Sequence, residues 1–180
     1  MAGVAPVTAL TSTAPPVTTR WVLAVPIDLP SKNGIPRHVH ARKDLRNRWA
    51  ATLAALAREA GIPLARRDPH ERGKGPAANV PRRSIAIVRL MGKGQRAYDL
   101  GDGMEGGAAM LRDAMQATRY RWRKGVAWPI GVVPGAGIVW DDSAAWSTWT
   151  YAQERAADGV AGVRIEVSET TAGGELARSK

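Results

Sequence analysis

The chain has 180 residues, enough for one domain with a substantial core and too few for two. Its 26 Lys and Arg against 16 Asp and Glu leave a net charge of +10 and a pI near 10.8, which points to an anionic partner, nucleic acid ahead of a membrane surface. The absence of cysteine excludes disulfides, thiolate metal sites and a Cys nucleophile, and no apolar run nears the roughly 18 residues of a spanning helix, so a soluble, cytoplasmic protein is expected.

Residues 1–18 are Ala, Pro, Thr and Val without period or charge, the composition of a disordered tail; they lack the early positive charge and unbroken apolar core of a secretory leader. Arg20 to Ile27 is a short, partly β-branched apolar run, expected to be the first strand. Asp28 to His40, with Pro, Asn-Gly and basic residues, reads as a loop. From Ala41 the spacing becomes helical, with Leu45, Trp49, Leu53, Leu56 and Ala60 on one face and Arg42, Lys43, Arg46, Arg48 and Arg58 opposite; Gly61 and Pro63 supply the stop. That basic face suits either water or a phosphate backbone.

Ala65 to Arg83 is an Arg-, Gly- and Pro-rich loop, and Ser84 to Met91 a second strand. Gly92-Lys-Gly94 lacks the rest of a phosphate-loop pattern and reads as a turn. From Met104 helical spacing returns, placing Met104, Ala108, Leu111, Met115, Thr118 and Trp122 on one face. Lys124 to Gly137, rich in Gly and Pro, suggests an irregular loop or short hairpin. Ile138-Val-Trp140 is a short apolar run ending in Asp141-Asp142; Trp146 to Glu154 and Val163 to Val167 alternate as strands do, and the chain from residue 169 is a polar tail. Residues 19–168 are therefore expected to form one α/β (α+β) domain, a small mixed sheet of about four strands with two main helices. His38 and His40 lack a third ligand nearby and are expected at the surface. Trp146 and Trp149 are expected to pack rather than stack on bases, and Trp49 and Trp122 to lie in the core or a dimer interface.

Six of the sixteen acids of this basic chain fall between residues 99 and 142: Asp99, Asp102, Glu105, Asp113, Asp141 and Asp142. Carboxylates gathered beside cations suit hard divalent ions next to a polyanion, and two-metal phosphodiester hydrolysis requires such convergence. Asp before a helix is equally a common cap, and Asp-Asp after a strand a common turn.

The order of features resembles the RusA family of Holliday-junction resolvases, especially those encoded by phages and prophages. The likeness lies in Asp99-Leu-Gly-Asp102-Gly103, then Gly106-Gly107, the helix Leu111-Arg-Asp-Ala-Met115, and Trp140-Asp141-Asp142. It extends to Pro26–Ala60, Tyr151–Glu154 and Gly162–Val167, covering most of residues 20–168. The first motif is one residue wider than the family's Asp-x-Asp and lacks its Asn; the family's helix lysine falls at Ala109. The resemblance implies a homodimeric Mg²⁺-dependent endonuclease, with Mn²⁺ as a substitute ion and no organic cofactor, acting on branched DNA in the cytoplasm of a bacterium or as a phage product. Asp99, Asp102 and Asp142 would be its catalytic metal ligands, with Asp141 beside them. Lys32, Arg37, Arg42, Lys43, Arg46, Arg66, Arg67, Arg72, Lys74 and Arg112 would contact DNA. A non-catalytic DNA-binding protein on the same fold is the alternative, and an unrelated basic interaction module a third.

Overall fold

The computed structural model describes residues 14–70, 80–99, 101 and 104–173, with the side chains of 14–16, 104–105 and 171–173 excepted. Four strands, β1 (Ala14–Val25), β2 (Arg83–Met91), β5 (Ser147–Arg155) and β6 (Gly162–Gly173), form a mixed sheet in the order β1-β6-β2-β5. The first two pairings are antiparallel and β2-β5 is parallel. The parallel pair demands a long crossover, which holds helix α2 (Ala109–Met115) and a hairpin of β3 (Arg119–Arg121) with β4 (Gly131–Val133). A small α+β protein with a four-stranded mixed sheet and two helices is thus what the chain forms.

Alternation sorts the sheet into two faces. Leu23, Val25, Ile85, Ile87, Val163, Ile165 and Val167 share one, and there they form a core with Trp49, Leu53 and Ala57 of helix α1 (Val39–Glu59) and Leu111 and Met115 of α2. Burying such side chains stabilises the fold by roughly 1.5–3 kcal/mol each. On the other face Arg164 is forked between Glu154 and Glu166, and Ser84 pairs with Thr148. Helix α1 ends in a Schellman turn: Gly61 is left-handed at φ 72°, its N–H donates to the Arg58 carbonyl, and that of buried Ile62 donates to the Ala57 carbonyl.

Several expectations need correction. Strand β1 reaches back to Ala14 and β6 runs on to Gly173, so parts of both presumed tails lie in the sheet; Thr18 to Arg20 gain partners in Thr170 to Ser168, a tertiary pairing that composition does not carry. Helix α2 stops at Met115, leaving Thr118 and Trp122 outside it. The segment 136–139 captures its last carbonyls: Ala136 N–H donates to Ala114, Gly137 to Gln116 and Val139 to Met115. Ile138 to Trp140 is accordingly a buried strap along α2 with one bridge to Gln116, rather than a strand. Strands β5 and β6 flank β2. Among the described residues no helix is long and apolar enough to cross a membrane.

Candidate nucleic-acid interface

The acidic residues sit on two separately anchored segments, the loop of Asp99 at the far ends of β2 and β5 and the strap of Asp141 and Asp142 at their starts. The loop that carries Asp99 is docked on β5, where Gln153 Oε1 accepts from the Tyr98 N–H at 2.9 Å and Gln153 Nε2 donates to the Tyr98 carbonyl at 2.8 Å. Buried Arg89 donates to the Arg96 carbonyl and lies 3.7 Å over the Tyr98 ring. Asp99 itself is exposed. The strap bearing Asp141 and Asp142 is tied down by Arg83, which donates to the Ile138 carbonyl at 2.6 Å, and by Arg67, which donates to the Trp140 carbonyl and stacks 4.0 Å from the Trp140 ring.

The carboxylates there have cationic or capping partners already. Arg112 Nη2 of α2 donates to Asp142 Oδ2 at 3.1 Å. Asp141 Oδ1 accepts from the N–H and hydroxyl of Ser143, and its Oδ2 lies 3.9 Å from Arg67. Asp113 accepts from Gln116. Behind the Arg112–Asp142 pair stands Tyr151, whose hydroxyl is buried, as is Arg112 Nε. Burial works against the Arg112 charge, yet Tyr151 and Asp142 outweigh it and hold the guanidinium pKa above its ordinary value. Burial likewise pushes the Tyr151 hydroxyl up, so it stays neutral. Asp102 lies outside the described residues, as does the side chain of Glu105. Among the described residues no three Asp, Glu or His side chains gather closely enough to hold a metal, so the described carboxylates alone do not fit the ion that the resemblance implies.

On the other side of α2 the basic residues converge. A cleft of ≈ 800 Å³ runs between α1, α2 and the β3-β4 hairpin, and among the described residues it is lined by the cations Lys32, Arg42, Lys43, Arg46 and Arg121 and by one acid, Asp113. Arg46 is partly desolvated and faces Arg119 and Arg121, so burial first and then these like charges lower its pKa. Arg67 is lowered in the same way, by burial and by Arg119. Crowded guanidinium groups raise the free energy of the unbound protein, and an anion in the cleft relieves it.

Four of the ten expected DNA contacts, Lys32, Arg42, Lys43 and Arg46, therefore share one concave surface. Arg66 and Arg67 line a separate crevice with Arg58 and Tyr120, Arg37 is exposed, Arg112 is paired with Asp142, and Arg72 and Lys74 lie outside the described residues. Sequence reasoning missed Arg119 and Arg121, although residues 114–140 contain no acid and four cations, Arg119, Arg121, Arg123 and Lys124. No protein-family profile, curated protein or solved structure matches the chain.

Proposed function

We propose that this protein is a Mg²⁺-dependent, structure-selective endonuclease of RusA type, acting as a cytoplasmic homodimer on four-way DNA junctions. The observation that carries its DNA-binding half is the cleft of Lys32, Arg42, Lys43, Arg46 and Arg121, five cations gathered beside Asp113 on one concave surface. A surface of that kind fits a phosphate backbone and reads shape more than sequence. The catalytic half rests on the sequence resemblance. Asp102 and Asp142, with Asp99 and Asp141, are the residues assigned to the metal.

A second reading, a junction-binding protein without cleavage, is favoured by the ion pair of Arg112 with Asp142 and the capping of Ser143 by Asp141. A labelled four-way junction incubated with the full chain separates the two. Nicking that requires Mg²⁺ or Mn²⁺ and disappears in Asp102→Asn and Asp142→Asn, with binding retained, establishes the first. Binding without cleavage in either ion selects the second, and failure to bind junction or duplex at low salt would sink both. Sedimentation of the free protein checks the dimer.

A further inference from the structure

Exposed apolar side chains are concentrated at one place in the fold. Of the eight large hydrophobic residues exposed among the described residues, four belong to the second half of the hairpin: Val126, Trp128, Ile130 and Val132. They follow the turn at Lys124-Gly125 and lead into β4. The first half repeats cations at every second position, Arg119, Arg121 and Arg123, followed by Lys124. Arg121 pairs with Gly131 and Tyr120 with Val132, and the Ile130 N–H donates to the Arg121 carbonyl at 2.7 Å, so one two-stranded ribbon carries Arg119 and Arg121 on one face and Val132 on the other. Trp128 is 63% exposed, and its ring meets that of His70 at 5.3 Å in a T-shaped contact.

We infer that the β3-β4 hairpin is a stacking platform for unpaired nucleotides, with Trp128 as the ring on which a base lies and Arg121, Arg123 and Lys124 holding the adjoining phosphates. This rests on the proposed DNA-binding function and adds to it the form of DNA recognised: branch points or single strands, where bases are free to leave their stack. Two observations choose this occupant. Arg121 and the run Ile130 to Val133 also form a wall of the basic cleft, so a backbone lying in the cleft runs directly onto the hairpin. A second copy of the chain would bring an equally cationic, acid-free segment against this one, and the like charges would oppose contact.

The test uses the full chain, with anisotropy titrations against duplex, four-way junction and oligo-dT at one salt concentration. Trp128→Ala is expected to weaken oligo-dT and junction binding by roughly 5- to 100-fold while leaving duplex affinity nearly unchanged. Trp128→Phe, which keeps a ring, restores the affinity but lacks the tryptophan quenching that oligo-dT causes in the parent. Circular dichroism confirms folding, since the exposed side chain supports no core. Equal losses on all three DNAs, or no loss, overturn the inference, as does an effect of Trp128→Ala confined to oligomeric state or to binding of phosphatidylglycerol vesicles. A parent chain that binds the junction beside an unaffected Trp128→Ala refutes the platform alone; a parent that binds no DNA refutes the function with it.

Discussion

A methyl group added at Gly107 would lie 2.8 Å from both Cδ and the carbonyl oxygen of Pro30, and one at Gly106 would lie 2.6 Å from the Lys32 nitrogen. The Gly106-Gly107 pair is thus explained by close approach: the Gly107 N–H donates to the Pro30 carbonyl at 2.9 Å, joining the start of α2 to the loop that brings Lys32 to the cleft. Gly107→Ala is expected to destabilise the protein by about 1–3 kcal/mol in urea unfolding, with an unaltered midpoint contradicting this reading. Arg83 is the second residue on which much depends. It is 2% exposed, holds Glu169 through Nε and Nη2, and fixes the strap that carries Asp141 and Asp142. Arg83→Ala strands Glu169 and the Ile138 carbonyl, and a loss of roughly 3–5 kcal/mol is expected; a double Arg83→Met, Glu169→Gln variant should recover part of it.

At the scale of elements, legibility followed locality. Helix α1 could be read because its apolar residues recur at three and four, and Gly61 with Ile62 closes it; the same period placed Arg42, Lys43 and Arg46 together on its outer side. Helix α2 was read too long because periodicity continues to Trp122, while what ends the helix is a strap twenty residues downstream that takes its carbonyls. Arg121 could not be assigned to the cleft without knowing that its hairpin folds beside α1, and the insertion of β2 between β5 and β6 is likewise invisible to a local pattern. The cleft makes an opposed pair of expectations for Arg46. Arg46→Met keeps the aliphatic packing and removes a charge crowded by Arg119 and Arg121, so the melting temperature should stay level or rise. DNA affinity should fall at the same time, with the salt slope shallower by about 1. A stability loss with affinity unchanged would make Arg46 a structural residue.

Across the whole molecule the charge of +10 is unevenly spent. On the open face of the sheet Arg164 is balanced by Glu154 and Glu166, and by the strap Arg67 and Arg112 lie against Asp141 and Asp142. Eight further cations gather in the cleft and hairpin: Lys32, Arg42, Lys43, Arg46, Arg119, Arg121, Arg123 and Lys124. Neutralising phosphates with them releases counterions, so log affinity for junction DNA should fall against log salt with a slope between about −4 and −7, the steeper limit corresponding to all eight. Combined Arg42→Ala, Lys43→Ala and Arg121→Ala should flatten that slope by about 3, whereas Arg164→Ala should leave it in place. The comparison separates a defined interface from diffuse attraction to a basic protein, because in the diffuse case the slope would respond to the number of cations removed and not to where they lie. Equal flattening per charge from the sheet face and from the cleft would therefore contradict the interface described for this molecule.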